Sequence, residues 1–152
     1  MKVIFKLFFI LLLLVINTKV SFAIENKLHD LGLFTRVDSL CPFSRESLDE
    51  IVNGEFIRAR IKPSKNLLYN LNVDVKCLEI SNESGYKTGF SVSYEIRYGT
   101  QLDDGTNVLI EYPNYGSMLI GGPTASSSLF FMNAIRNSTS SALTDYLENI
   151  LE

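Results

Sequence analysis

One histidine, two cysteines and no Cys-x-x-Cys pair set the first limits on this 152-residue chain. Two cysteines and one histidine cannot furnish a convincing zinc ligand set. Without the Cys-x-x-Cys spacing there is no redox motif. No Gly-x-Ser-x-Gly elbow is present to hold a nucleophilic serine. No Gly-x-x-x-x-Gly-Lys loop or dinucleotide-type glycine pattern occurs, and Gly121-Gly122-Pro123-Thr124 reads as a chain reversal before a helix. No metal and no cofactor is therefore implied. Basic residues are outnumbered, 14 against 17 acidic. The densest basic group is Arg58, Arg60, Lys62 and Lys65. Its first three members alternate with Ala59 and Ile61, as on the solvated side of a helix end or edge strand. Phosphate backbones repel such a chain, so nucleic acid is set aside as a partner. Beyond residue 23 no apolar run approaches the roughly 20 residues that a membrane-spanning helix needs.

What the chain does have begins at its first residue. MKVIFKLFFILLLLVINTKVSFA carries Lys2 and Lys6, then an unbroken apolar run from Leu7 to Ile16, then Ser21-Phe22-Ala23 with small residues at the −3 and −1 positions. This pattern predicts a signal peptide over residues 1–23, cleaved to leave Ile24 first. An apolar run of ten is too short for a transmembrane anchor, and no cysteine follows Ala23 directly to accept a lipid. The expected product is exported, periplasmic or extracellular, with no membrane span. The leader holds three lysines and no acid. Its removal leaves eleven basic and seventeen acidic residues, and the net charge moves from −3 to −6. The remaining 129 residues suit one domain with its own core.

Export implies an oxidising compartment, where Cys41 and Cys77 are expected to form a disulfide. That bridge ties the segment before the first helix to a central strand. Residues 24–43 read as an irregular leader with room for a short helix or strand over Leu31–Val37, and 44–152 as a single α+β domain. Ser47-Leu48-Asp49-Glu50 fits a capping box, which predicts a helix from 48 to about 58 that Pro63 forbids from continuing. Leu71 to Ser81 begins as a strand, with Leu71, Val73, Val75 and Cys77 on one side. Phe90 to Tyr98 alternates perfectly, Phe90, Val92, Tyr94, Ile96 and Tyr98 against Ser91, Ser93, Glu95 and Arg97. Asp103-Asp104-Gly105 closes a hairpin. Val108 to Tyr112 returns as a third strand stopped by Pro113, and Met118 to Ile120 is a candidate fourth. A long helix follows over about Ser126–Leu151, with Ser138–Ser141 a weak patch where a bend is expected. The expected fold is a two-layer α+β sandwich in the order α-β-β-β-(β)-α. Its three- or four-stranded antiparallel sheet is covered on one face by the two helices.

Candidate chemistry is sparse. His29 sits in the leader beside Asp30, and adjacency in sequence does not orient a pair. Asp103 and Asp104 suit a turn before glycine, and Asp49 and Glu50 a helix start. Tyr112-Pro113-Asn114-Tyr115-Gly116 is the foremost surface candidate. Tyrosines flanking Pro-Asn on a strand-end loop would present stiff, amphipathic contact area, so Tyr112, Asn114 and Tyr115 are the candidate binding residues. The competing reading keeps Tyr112 in the core, because it continues the inward parity of Val108 and Ile110, and packs Tyr115 under the loop. Asn82-Glu83-Ser84 and Asn137-Ser138-Thr139 match the glycosylation triplet.

The helix ESLDEIVNGEFIRARIKP, the strands LYNLNVDVKCLEI and FSVSYEIRY, and the C-terminal helix ending ALTDYLENIL follow a signal peptide in an order that resembles small exported bacterial α+β proteins of uncharacterised families. The resemblance implies an envelope or secreted location and brings no catalytic residues. The expected role is non-enzymatic: binding a protein or an envelope component. Two alternatives stay open. One is a small secreted hydrolase using His29 or carboxylates. The other is a secreted inhibitor or effector that presents the Tyr112–Gly116 loop. A small open sheet has edges, so pairing into a dimer is also open.

Overall fold

A computed structural model describes residues 30–151. The expected signal peptide, its cleavage point and His29 lie outside the described residues. Eight elements follow in order: β1 (Leu31–Val37), α1 (Arg45–Arg58), β2 (Pro63–Ser64), β3 (Asn70–Ser81), β4 (Lys87–Gln101), β5 (Asn107–Asn114), β6 (Ser117–Gly121) and α2 (Ala125–Leu151). The α+β class is as expected. The sheet has six strands rather than three or four, and it is mixed rather than purely antiparallel.

The additional strands come from segments with weak local signals. In β1, Leu31, Leu33, Thr35 and Val37 share the helix-covered face, while the threonine and the paired glycine and arginine on the other side blur the alternation. The residues 24–43 segment thus contributes a full strand, the second possibility for Leu31–Val37. β1 pairs parallel to β3, from Gly32 opposite Asn70 to Val37 opposite Val75. Their connection runs through α1, as a parallel pair requires. The two-residue β2 pairs with the other side of β1.

The cap of α1 lies three residues before the expected Ser47. Ser44, extended at φ −83° and ψ 160°, accepts the Ser47 amide at 3.1 Å. The chain bends through Cys41–Phe43 and turns extended only at Ser44, so that Ser47 falls inside the helix. The helix ends in a Schellman arrangement: Ile61 N–H donates to the Phe56 carbonyl at 2.9 Å and Arg60 N–H to that of Ile57 at 3.0 Å. Arg60 takes the left-handed conformation there, at φ 58°. Leu48, Val52 and Phe56 of α1 and Phe131, Ile135, Ala142 and Leu143 of α2 cover Leu71, Val73, Val75, Val92 and Ile96 of the sheet. Burying such side chains contributes roughly 1.5–3 kcal/mol each, and this layer is the core of the domain.

The Cys41–Cys77 disulfide is present and fastens the loop before α1 to β3. α2 runs unbroken across Ser138–Ser141. Thr139, Ser141 and Thr144 direct their hydroxyls to the carbonyls of Ile135, Asn137 and Ser140, so these three hydroxyls are satisfied within the helix itself. Three tyrosines from the sheet then fix α2 along one side. Tyr94 lies 3.0 Å from the Ser138 hydroxyl, Tyr98 donates to the Ala142 carbonyl, and Tyr115 donates to Asp145 at 2.5 Å. Glu55, nearly buried on α1, pairs with Arg58 on its own helix and lies 3.9 Å from Arg136 of α2.

Candidate functional site

Because both helices lie on one face, the other face of the sheet is uncovered. Strand pairing sets its side chains out in rungs. Gly32, Asn70, Gly99 and Leu109 form one, Phe34, Asn72, Arg97 and Asn114 the next, and Arg36, Asp74 and Glu95 a third. A groove of about 420 Å³ lies over them, with Phe34 on one side, Leu109 on the other and Arg97 between.

The glycines of the first rung make room for Asn70, which is 6% exposed. A Cβ on Gly99 would come within 2.3 Å of the Asn70 Oδ1. Asn70 donates to the Leu67 carbonyl and accepts from Asn72, so the two amides form a fixed polar floor. Arg36 holds Asp74 through two hydrogen bonds, the one from Nε at 2.8 Å. The hydrogen bond from Arg36 and its charge keep the Asp74 carboxyl below its usual pKa. Arg97 donates from Nη2 to Glu95 at 2.8 Å. Its Nε is buried and finds no acceptor among the described residues. An unsatisfied buried donor costs about 1–3 kcal/mol. The groove therefore has balanced charge, a rigid amide floor and one arginine donor unused.

The rim is built by an irregularity in the β4–β5 ladder. Leu109 pairs with Gly99 and Asn114 with Arg97. Four residues, Ile110–Pro113, fill a gap that a regular ladder closes with one. The excess is pushed out of the sheet as a bulge. All four are exposed, Tyr112 at 78%, and the Tyr112–Pro113 peptide is cis. Both roots of the bulge, Leu109 and Asn114, sit on rungs of the groove.

The three candidate binding residues are thus separated. Tyr112 is not in the core: the inserted residues break the parity that Val108 and Ile110 would have imposed. Asn114 is exposed and returns to the ladder opposite Arg97. Tyr115 packs under the loop, as the competing reading had it, its ring edge-on to Tyr98 at 6.2 Å and its hydroxyl on Asp145. β5 also runs past Pro113 to Asn114, because the proline lies in the bulge, where no ladder hydrogen bond is required of it.

Two of the other candidate carboxylates have structural partners. Asp104 accepts the Thr106 amide in the hairpin turn, and Asp49 accepts from Thr35 of β1. Asn82 organises the β3–β4 turn, accepting from the Ser84 and Tyr86 amides. Among the described residues no three His, Cys, Asp or Glu side chains gather as a metal set, and no helix is long and apolar enough to cross a membrane. Sequence reading missed Phe34, Asn70, Asn72, Arg97 and Leu109 as a group. The available signal was the row of amides and charges on the polar side of the alternation, which by itself means only a solvated face.

No protein-family model matches the chain, and no curated protein does. Among solved structures it is similar to a PelC dodecamer from Paraburkholderia phytofirmans, at 13% identity over 74% of this chain and 86% of that one, with a TM-score of 0.46. It is also similar to rare lipoprotein B from Shewanella oneidensis, at 13% identity over 79% and 93% of the two chains, with a TM-score of 0.30. A third is a minor lipoprotein from Acinetobacter baumannii, at 7% identity over 78% and 91%, with a TM-score of 0.35. All three come from bacteria, two are lipoproteins, and the overlaps are loose.

Proposed function

We propose that this chain is an exported, non-enzymatic binding domain that acts in the periplasm or outside the cell. It receives an extended segment of a protein or envelope component along the uncovered sheet face. The observation that carries this reading is the bulge at Ile110–Pro113. It sets Tyr112 and Ile110 out in solvent next to Leu109, which lines a groove whose floor is polar. Exposed tyrosine beside aliphatic side chains is the composition of an interface centre. An extended partner brings backbone carbonyls to Arg97 and side chains to Phe34 and Leu109. The disulfide and the N-terminal leader support export.

Site-specific photo-cross-linking in the producing organism tests the proposal. A photoreactive phenylalanine at position 112 or 109 is expected to give one discrete adduct. The same probe at Glu83, in the turn at the far end of the sheet, gives none. Equal adducts from all three positions, or none from 109 and 112, would refute the assignment.

A further inference from the structure

The two edges of the sheet are built differently. On one side β2 is two residues long, opens with Pro63 and is flanked by Lys62 and Lys65. Shortness, proline and lysine are the usual means by which an edge is kept from pairing with another chain. The other edge is formed by β5 and β6, which both pair with β4. The β5 part carries Glu111 and the bulge. The β6 part, Ser-Met-Leu-Ile-Gly, has no charge, no proline and no bulge. Among the described residues its only strand partner is β4, and in an antiparallel pair alternate residues of an edge strand turn their N–H and C=O groups outward.

Charge is excluded well beyond this strand. From Tyr112 to Ile135 there are 24 consecutive residues without a single Asp, Glu, Lys or Arg, in a chain that is 20% charged. The stretch covers β6 and the first turns of α2, which begins against β6 with Ser127 and Phe131 over Gly121. Within it Met118 is 68% exposed, Ile120 70% and Leu129 58%.

We infer that β6 is a self-association edge, pairing antiparallel with β6 of a second copy about a two-fold axis at Leu119. The strand is self-complementary in that register. Met118 falls opposite Ile120 of the partner subunit on the uncovered face, Leu119 opposite its own equivalent on the helix face, and Ser117 opposite Gly121. An isologous contact of this kind closes at two subunits. The charge pattern favours a second copy over other occupants. Two acidic chains repel each other, and this uncharged stretch is where they can meet with no like charges face to face. Leu78 lies across Ser91 from Ile120 on the same face, so the pairing joins the two copies' Leu78 and Ile120 into one apolar band. The pairing is short, so the dimer is a weak one.

Sedimentation of the native exported protein over a range of concentrations tests this. The expected result is a reversible rise from monomer to twice the monomer mass, with slowed amide exchange confined to Ser117–Gly121 in the dimer. Ile120→Lys and Met118→Lys should each weaken the dimer about tenfold or more. Both side chains are exposed, so the monomer circular dichroism stays unchanged. Leu78→Lys separates edge pairing from stacking of the uncovered faces, since it lies two strands inside the edge, and it should leave the dimer within about threefold of the parent. A monomer at every concentration overturns the inference. So does a dimer indifferent to the β6 lysines, or one that Leu78→Lys dissolves as effectively.

Discussion

Tyr115 reaches from just beyond β5 to α2 and donates its hydroxyl to Asp145 at 2.5 Å, while Asn114, its neighbour in sequence, stays in solvent. One peptide unit thus divides the loop into an outward part, free to meet a partner, and an inward part that fastens the C-terminal helix to the sheet.

Tyr115→Phe keeps the ring against Tyr98 and removes only the hydrogen bond to the carboxylate. Such bonds contribute about 1.5–3 kcal/mol. The variant should lose about that much stability in urea, with the denaturant slope unchanged. Tyr112→Ala, at a side chain 78% exposed, should change stability by less than about 0.5 kcal/mol. Equal losses from the two substitutions would contradict the division of roles.

The tyrosines that hold α2 also make the fold sensitive to alkali. Burial pushes the Tyr98 hydroxyl from 10.0 up to about 12. Burial and the hydrogen bond to Asp145 push Tyr115 up as well, and burial raises Tyr146. A hydroxyl that deprotonates more readily in the unfolded chain contributes stability that is complete below pH 10.0 and is lost as pH rises toward about 12. Denaturation midpoints should be flat from pH 8 to near pH 10 as far as these groups are concerned, then fall. Tyr98→Phe should remove part of the fall. A profile unchanged by that substitution would show that Tyr98 is not among the groups responsible.

The disulfide closes a loop with a sequence separation of 36. The chain-entropy relation assigns such a loop about 4 kcal/mol. Reduction, or Cys41→Ala with Cys77→Ala, should lower the unfolding free energy by roughly that amount, read from urea curves with and without reductant. A loss under about 1 kcal/mol would mean that the unfolded chain is already restrained there.

Two glycines should respond in opposite directions. Gly54 lies within α1, and nothing stands within 4 Å of a Cβ built there. Gly54→Ala should stabilise the protein by about 0.5–1 kcal/mol. Gly32 lies in β1, where a Cβ would come within 2.0 Å of the Asn66 carbonyl oxygen. Gly32→Ala must displace backbone and should destabilise by at least 1–3 kcal/mol, as overpacking does. Thermal melts of the two variants decide the matter; matching signs would be inconsistent with the packing around Gly32.

Local pattern was enough to define the two helices, strands β3 and β4 and the covered face. Val73, Val75, Val92 and Ile96 alternate strictly, and a strand buried on one side must place such residues there. The cysteine pairing was legible too, from two cysteines in a chain whose N-terminus reads as a signal peptide. Neighbours in space decided the rest. β1 became a strand because β3 and β2 offered it partners on both sides, which seven residues with a weak alternation do not announce. The helix cap moved to Ser44 because the bend through Cys41–Phe43, beside the disulfide, brings Ser44 into position to accept the Ser47 amide. Tyr112 left the core because the return strand carries more residues than β4 can pair, a mismatch that exists only between two strands and in neither alone. The groove has the same origin. Phe34, Asn72, Arg97 and Asn114 lie on four strands, and only the register of the sheet sets them in one row. Sequence period fixes which way a side chain points, but hydrogen-bond register between distant segments fixes what it points beside.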